Sequence, residues 1–302
     1  MIVVVATASH TYTHEELAGL DGAVEIEVKT YHDLHTQGLP PDATYIFTDV
    51  DRLPASTHRW AALQYRQLRK KGVKVLNDPA RMLSRQGLLR RLARLGINDF
   101  NAYRVEEGIK PAKWPVFIRS IGDHGFPVSG LLHDIDELHR AIGKSLARGF
   151  PLPTLLVVEY AAEPVREGLY RKLSVFKVGQ RLLGYTCVHD DNWVVKFGKN
   201  AIATDELYEE EYRFVRDNPF GAAAARVFEA AGVEYGRVDF GLVGGKPQFY
   251  EVNSNPHVKL DAPETPHPRR AESLALFREL YVEAMRAIDT PAAEGAPREK
   301  IA

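Results

Sequence analysis

The segment from residue 237 to residue 256 constrains the fold of this chain more than any other. Polar and apolar residues alternate over 237–242 and again over 249–253, which predicts two half-buried β-strands. Gly244, Gly245 and Pro247 lie between them, and residues of these types are typical of a turn. The sequence therefore predicts a β-hairpin with one apolar face and one polar face.

The pairing across this hairpin depends on the length of its turn. A three-residue loop centred on Gly245 puts Asp239 opposite Glu251, and Arg237 opposite Asn253. The polar face then collects two carboxylates, an amide and a guanidinium. The other face is apolar and is expected to point to the core; it consists of Val238, Phe240, Leu242, Tyr250 and Val252.

Two carboxylates that face each other across a strand pair repel and destabilise the sheet, unless a cation binds between them. Oxygen ligands from Asp239, Glu251 and Asn253 suit a hard ion such as Mg²⁺. Arg237 beside such an ion could stabilise negative charge on a phosphoryl or acyl-phosphate group. The alternative is an ordinary solvated hairpin face whose charges pair loosely and have no function.

The order Arg-x-Asp-Phe, a turn, and then Tyr-Glu-Val-Asn-x-x-Pro resembles the C-terminal signature of the ATP-grasp superfamily. It is particularly similar to the D-alanine–D-alanine ligase, glutathione synthetase and ribosomal-protein glutamate ligase branches. The resemblance implies that Asp239, Glu251 and Asn253 hold one or two Mg²⁺ ions on the phosphates of ATP, with Mn²⁺ as an alternative ion. It also implies that Arg237 is the catalytic arginine, steadying the tetrahedral intermediate or the γ-phosphate.

Length and charge exclude several classes of protein. The chain has 302 residues, of which 45% are hydrophobic, and this is enough for two or three packed units. A net charge of −1 argues against a nucleic-acid or membrane-surface binder. The single cysteine excludes an internal disulfide and fits a reducing compartment. With neither a signal-peptide pattern nor a long apolar stretch, the sequence predicts a cytoplasmic protein.

Three structural units are predicted. Strands alternating with a helix over 1–76 indicate a small α/β substrate-side unit with a largely parallel sheet. A second, smaller α+β unit over 77–155 is expected to begin with a helix directly after Asn77-Asp78-Pro79. Longer strands, the hairpin and a C-terminal helix make up a third unit over 156–289, and 290–302 is expected to be a flexible tail. This order resembles the ATP-grasp layout, so the predicted fold class is α/β and α+β, with the nucleotide clasped by the last two units.

The resemblance also implies residues for ATP. Arg85 and Arg119 occupy the places where the family usually has two phosphate-binding lysines, although Arg85 could equally be a solvated helix residue. Glu159 and Tyr160 end a strand that resembles the one whose backbone reads adenine. Lys196 falls where related ligases carry a basic residue, or it is a strand lysine that reaches solvent. The glycine-bearing loop at 122–130 could close over the phosphates, or it could be an ordinary connection.

The sequence therefore predicts an ATP- and Mg²⁺-dependent ligase that joins a carboxylate, with a peptide as one candidate, to an amine or thiol through an acyl phosphate. A small-molecule kinase and a nucleotide-binding regulatory protein with a degenerate site remain alternatives. The first unit carries no motif that we can interpret, and its histidines, including His10 and His14, are expected to lie at the surface. A homodimer is the default expectation for quaternary structure.

Overall fold

The computed structural model describes residues 1–19, 24–38, 43–108, 110–122, 125–199, 202–260 and 267–289. The predicted tail at 290–302 lies outside the described residues, and so do Asp123 and His124 of the glycine-bearing loop. The described residues form three β-sheets, which follow one another along the chain.

The first sheet has four parallel strands in the order β2-β1-β3-β4. Its central strands are buried along their whole length, as strands covered on both faces must be. This confirms the predicted α/β unit at the start of the chain. Its elements are β1 (Ile2–Ala6), α1 (Glu15–Ala18), β2 (Ile26–Thr30), α2 (Tyr31–Gln37), β3 (Thr44–Phe47), α3 (Ala55–Lys70) and β4 (Val75–Leu76).

The second sheet is small and antiparallel, with the order β5-β7-β6. Its central strand spans the predicted boundary at 155/156 between the second and third units. Its elements are α4 (Arg85–Arg94), β5 (Ala102–Arg104), β6 (Val116–Ser120), α5 (Ile135–Ala147) and β7 (Leu155–Glu159).

The third sheet is antiparallel, in the order β10-β9-β11-β12, with β8 added on β9. A core rich in aromatic residues, including Phe176, Phe228, Phe240, Phe277 and Tyr281, packs this sheet against the helices. Its elements are β8 (Pro164–Arg166), β9 (Leu169–Val178), β10 (Arg181–Asp190), α6 (Asp205–Asp217), α7 (Gly221–Ala231), β11 (Tyr235–Val243), β12 (Lys246–Asn253) and α8 (Pro268–Asp289).

The β11–β12 hairpin confirms the predicted pairing, although its turn was predicted wrongly. The turn has two residues, Gly244 and Gly245, whose φ values are +56° and +75°. A bulge between Asp239 and Phe240 shifts the register by one residue. The shorter turn and the bulge cancel, so Asp239 still pairs with Glu251 and Arg237 with Asn253. Tyr250, the unpaired residue of the bulge, packs against a core cluster that includes Phe100 and also lines a cavity.

The predicted helix start at Asn77 is also wrong. α4 begins at Arg85 and is capped by the hydroxyl of Ser84, which accepts a hydrogen bond from the backbone N–H of Gly87. Asn77 is instead fully buried in a left-handed conformation, with φ of +65°. Its side chain donates to the carbonyls of Phe47 and Tyr235, so it joins the first and third sheets.

Helix α6 was not anticipated, although its sequence carries a helical pattern. Tyr208, Phe214 and Val215 recur at the spacing of one helix face and are buried. Glu211 occupies that same face, which interrupts the apolar pattern in the sequence. Among the described residues, no helix combines the length and apolar character that a membrane span requires.

Candidate active site

A cavity of about 440 Å³ lies where the three sheets meet. Strands β9, β11 and β12 provide one wall, and β6, β7 and the first turn of α4 provide another. The segment that follows β1 closes one end, and residues 193–197 close another side. The polar face of the hairpin lies inside this cavity.

Asp239 is the most deeply buried acid of the hairpin face, with 2% of its surface exposed. Its carboxylate accepts hydrogen bonds from Arg237 at 2.8 and 3.1 Å and from the hydroxyl of Ser174 at 2.9 Å. Lys172 lies 3.5 Å away. Burial raises the pKa of Asp239, but Arg237 and Lys172 outweigh it and bring the pKa below its usual value. Asp239 is therefore an anion held between two cations.

Glu251 lies beside Asp239 on the neighbouring strand and forms an ion pair with Arg85. The guanidinium comes from the first turn of α4, and only 6% of its side chain is exposed. Asn253, the third predicted metal ligand, accepts a hydrogen bond from the backbone N–H of Asn255 at 2.9 Å. The three oxygen-bearing side chains therefore lie in one cavity, and each has a partner from the chain itself.

Basic side chains dominate the cavity. Seven lysines and arginines line its described part against four carboxylates, although the whole chain has a net charge of −1. Such a cavity attracts polyanionic ligands. The basic residues are Arg52, Arg85, Arg119, Arg171, Lys172, Lys196 and Arg237.

The predicted phosphate ligands Arg119 and Lys196 converge on the described part of the glycine-bearing loop. Arg119 donates to the carbonyl of Gly125 at 3.4 Å, and the Lys196 ammonium lies 5.6 Å from the ring centre of Phe126. Gly125 itself lines the cavity. The described part of the loop and both cations therefore lie together at the same cavity.

Glu159 lines the cavity, but its carboxylate accepts hydrogen bonds from other residues of the chain. It accepts hydrogen bonds from the backbone N–H groups of Asn101, Ala112 and Lys113 and from the hydroxyl of Tyr103, at 2.7 to 3.0 Å. These bonds fix the segment that precedes β6 against the end of β7. The predicted contact of Glu159 with a nucleotide remains a prediction.

Aromatic rings form the wall beyond β7. The ring of Trp193 lies 4.9 Å from that of Phe117 and 5.6 Å from that of Tyr160, centre to centre. All three residues line the cavity. Neither Phe117 nor Trp193 was identified from the sequence as a cavity residue.

The first unit contributes residues that the sequence analysis did not identify. His10 and Arg52 line the cavity and contact each other. Behind them, buried Asp49 accepts hydrogen bonds from Thr7 at 2.8 Å and from the side chain of Asn255 at 2.9 Å. Both loops follow the carboxyl ends of parallel strands, β1 and β3, where ligand sites of open α/β sheets occur. This rule could have revealed them.

The predicted surface position is wrong for His14, whereas His10 is partly exposed, and His32 and His35 are exposed as predicted. His10 lies at the cavity wall, whereas His14 is fully buried. The ring of His14 is hydrogen bonded to the hydroxyl of Tyr235 at 2.7 Å. Burial, with a smaller effect of His257, lowers the pKa of His14 to about 3, so this imidazole is neutral.

No protein-family model and no curated protein sequence matches the chain. Solved structures do resemble it. A D-alanine–D-alanine ligase from Bacillus anthracis, complexed with ATP, has a TM-score of 0.53 and 14% identity, over 95% of this chain and 98% of that chain. A second structure of that ligase has a TM-score of 0.54 at the same identity and coverage. A RimK domain ATP-grasp protein from Sphaerobacter thermophilus has a TM-score of 0.50 and 19% identity, over 93% of this chain and 99% of that chain.

Proposed function

We propose, from the premise that this chain has the ATP-grasp fold, that it is an ATP-dependent ligase that joins a carboxylate to an amine. The observation that carries the proposal is the hairpin face itself. Asp239 and Glu251 pair across two strands inside a cavity whose other charged groups are mainly cations. This combination suits a nucleotide with its metal ion, because the metal is held by oxygen ligands and the phosphates by basic side chains.

The donor set of the hairpin fits Mg²⁺. Asp239, Glu251 and Asn253 offer hard oxygen ligands from adjacent strands, and all three line the cavity. The cations that now neutralise the two acids, Arg85 and Lys172, lie in the same cavity. Once the acids hold a divalent ion, these two side chains would be available to the phosphate oxygens. Bound to ATP, the ion would neutralise charge on the β- and γ-phosphates.

The aromatic wall fits the base of the nucleotide. The side chains of Phe117, Tyr160 and Trp193 contact one another and present apolar ring surface to the cavity. Arg119 and Lys196 line the same cavity and contact the glycine-bearing loop at Gly125 and Phe126. We propose that adenine occupies the aromatic wall and that the phosphates extend past Arg119 and Lys196 toward the hairpin.

The carboxylate substrate would bind at the end of the cavity built by the first unit. His10 and Arg52 present cationic or hydrogen-bonding groups there, and Arg237 faces the same cavity from β11. The substrate carboxylate would attack the γ-phosphate to give an acyl phosphate, and an amine would then displace phosphate. Arg237 would stabilise the negative charge that develops in both steps. A peptide as substrate, a homodimer and a cytoplasmic location remain predictions.

The first experiment is calorimetric titration of the full chain with a non-hydrolysable ATP analogue, with and without Mg²⁺. We expect Mg²⁺ to strengthen binding, and we expect Glu251→Gln to abolish that enhancement because it removes one of the two carboxylate charges that would hold the ion. Glu167→Gln is the matched control, since Glu167 is exposed and does not line the cavity. Absence of any nucleotide binding in the wild type would refute the proposal.

The reaction itself is tested by the products. A ligase should release ADP only when both a carboxylate and an amine are present, and hydroxylamine should trap the acyl phosphate. ADP formation with an alcohol and without an amine would indicate the kinase alternative. Tight ATP binding without turnover on a panel of carboxylates and amines would favour the regulatory alternative.

A further inference from the structure

A second cluster of metal-ligating side chains lies outside the ATP cavity, between β10 and α6. Cys187 and His189 are two residues apart on β10, so they point to the same face of the strand. Glu210 approaches them from α6. The Cys187 sulfur, a ring nitrogen of His189 and a carboxylate oxygen of Glu210 all lie within 4.8 Å of one another.

His189 provides an independent indication that this cluster has a ligand. The residue is 5% exposed, and its Nε2 atom is buried without a hydrogen-bond partner among the described residues. The nearest carboxylate oxygen, on Glu210, is 3.6 Å away, beyond hydrogen-bond length. A buried imidazole nitrogen without a partner is costly, and coordination to a metal would satisfy it.

We propose that Cys187, His189 and Glu210 form a zinc site. A thiolate, an imidazole and a carboxylate are all ligands that Zn²⁺ accepts, whereas the all-oxygen set of the hairpin suits Mg²⁺. Ligand atoms around a tetrahedral zinc ion lie roughly 3.3–3.6 Å apart. His189 and Glu210 already meet this separation at 3.6 Å, and the Cys187 sulfur, within 4.8 Å of both, needs to move closer by at most about 1 Å. Binding would release the thiol proton of Cys187 to solvent.

The surroundings leave room for a fourth ligand. A cavity of about 50 Å³ is lined by Cys187, His189, Glu211 and Arg270, and it is large enough for a water molecule. Glu211 pairs with Arg270 and accepts a hydrogen bond from the backbone N–H of Cys187 at 3.0 Å. The carboxylate of Glu211 therefore already has partners within the protein, so we expect a water molecule to be the fourth zinc ligand.

The site is connected to the ATP cavity through Glu210. One oxygen of this carboxylate faces His189, and the other pairs with Arg171, which lines the ATP cavity. A zinc ion on the first oxygen leaves the ion pair with Arg171 in place. The metal would therefore fix α6 to β10 and orient Arg171, as hydrogen-bonded carboxylate ligands commonly do.

The test is a Co²⁺ titration of the metal-free full chain, followed by absorption spectroscopy. Cys187 is the chain's single cysteine, so any thiolate-to-cobalt charge-transfer band reports this residue alone. We expect that band to saturate at one Co²⁺ per chain and to disappear when Zn²⁺ displaces the cobalt. We expect it to be absent in Cys187→Ala and to require at least tenfold more Co²⁺ in Glu210→Gln.

Glu209→Gln is the matched control. Glu209 neighbours Glu210 on α6 but pairs with Arg269 at 2.8 Å, so this variant should keep the full band. Circular dichroism verifies that each variant is folded, and Glu210→Gln alters a side chain that is one-third exposed, so it provides a test even if Cys187→Ala does not fold. Cobalt binding without a thiolate band would place the metal elsewhere and overturn the proposal. So would an absence of cobalt binding, or equal cobalt affinity in Glu210→Gln and wild type.

Discussion

Arg85 and Arg90 lie five residues apart on α4, but their surroundings differ. Arg85 is 6% exposed and pairs with Glu251 inside the large cavity, whereas Arg90 is 46% exposed and pairs with Glu107 at 2.9 Å. A surface ion pair such as that of Arg90 contributes little to stability, because water and salt screen it. The two arginines therefore form a natural comparison for the role of the cavity.

We expect Arg85→Ala to weaken binding of an ATP analogue at least tenfold, which corresponds to about 1.4 kcal/mol. The physical reason is the loss of a charge-assisted hydrogen bond to phosphate from a side chain that is only 6% exposed. Arg90→Ala should bind the analogue as the wild type does. Calorimetric titration measures both, and equal affinities for the two variants would show that Arg85 is not a phosphate ligand.

At the scale of elements, the hairpin depends on a close approach between Gly241 and Tyr250. A Cβ atom built on Gly241 would lie 2.3 Å from the hydroxyl oxygen of Tyr250 and 3.2 Å from its Cζ atom. That hydroxyl donates to the carbonyl of Ala161 at 2.9 Å, and the ring packs on Phe100. Any side chain at position 241 must therefore displace the Tyr250 ring, which lines the large cavity.

We expect Gly241→Ala to cost about 2 kcal/mol of stability, because it overpacks the hairpin. Tyr250→Phe alone should cost about 1 kcal/mol through loss of the hydrogen bond. In the double variant the hydroxyl that clashes with the alanine Cβ is absent. The two stability losses should therefore not add, and the coupling free energy between the two substitutions should be about 1 kcal/mol. Chemical denaturation of the wild type, the two single variants and the double variant measures this coupling.

Gly245→Ala serves as the control for this cycle. Gly245 has φ of +75° and no atom within 4 Å of an added Cβ, so the substitution costs backbone strain alone. It should show no coupling to Tyr250→Phe. Strict additivity of Gly241→Ala and Tyr250→Phe would contradict the proposed contact.

At the scale of the whole molecule, Asn77 joins the first and third sheets. Its side chain donates to the carbonyls of Phe47 and Tyr235, at 3.0 and 2.8 Å, and accepts from the backbone N–H groups of Glu234 and Tyr235. We expect Asn77→Gly to destabilise the protein by about 3 kcal/mol, because it leaves buried backbone groups unsatisfied. Thermal or chemical unfolding provides the measurement.

Two further variants separate the causes of this loss. Asn77→Ala should be less stable than Asn77→Gly by about 1 kcal/mol, because alanine is strained at φ of +65°. Asn192→Ala changes an exposed asparagine and should alter stability by less than about 0.5 kcal/mol. A loss for Asn77→Gly no greater than that of Asn192→Ala would show that the link between the sheets is unimportant.

His14 makes the stability of the folded protein sensitive to acid. Its folded-state pKa of about 3 lies below the ordinary value of 6.5. As the pH falls through 6.5, the unfolded chain takes up a proton that the folded protein does not bind, so stability decreases. We expect His14 to account for about 2 kcal/mol of lost stability between pH 7 and pH 5.

The measurement compares unfolding midpoints at both pH values in the wild type and in His14→Gln. Glutamine can keep a hydrogen bond to Tyr235 and does not titrate, so the variant should lose less stability on acidification. Other ionisable groups contribute equally to both proteins. The same loss in both would exclude His14 as the cause.

The hairpin could be identified from the sequence because the pattern that predicts it lies within about 20 consecutive residues. Alternation along two short strands assigns each residue to a face, and opposed carboxylates on one face require a cation. The parallel unit at the start of the chain could be predicted for the same reason, since its strands are continuous apolar runs. Arg85, Arg119, Tyr160 and Lys196 came from the resemblance to a family, and the structure places all four at one cavity.

The remaining features depend on contacts between distant parts of the chain. Asn77 has the local signature of a helix cap, yet the carbonyls of Phe47 and Tyr235 satisfy it in another conformation. His10 and Arg52 become cavity residues only once the first and third units pack together, where Asp49 accepts a hydrogen bond from Asn255, 206 positions away in the sequence. The sequence alone thus determined the local chemistry of the hairpin. Tertiary structure decided which other residues share its cavity, because burial and long-range hydrogen bonds exist only once the units have packed together.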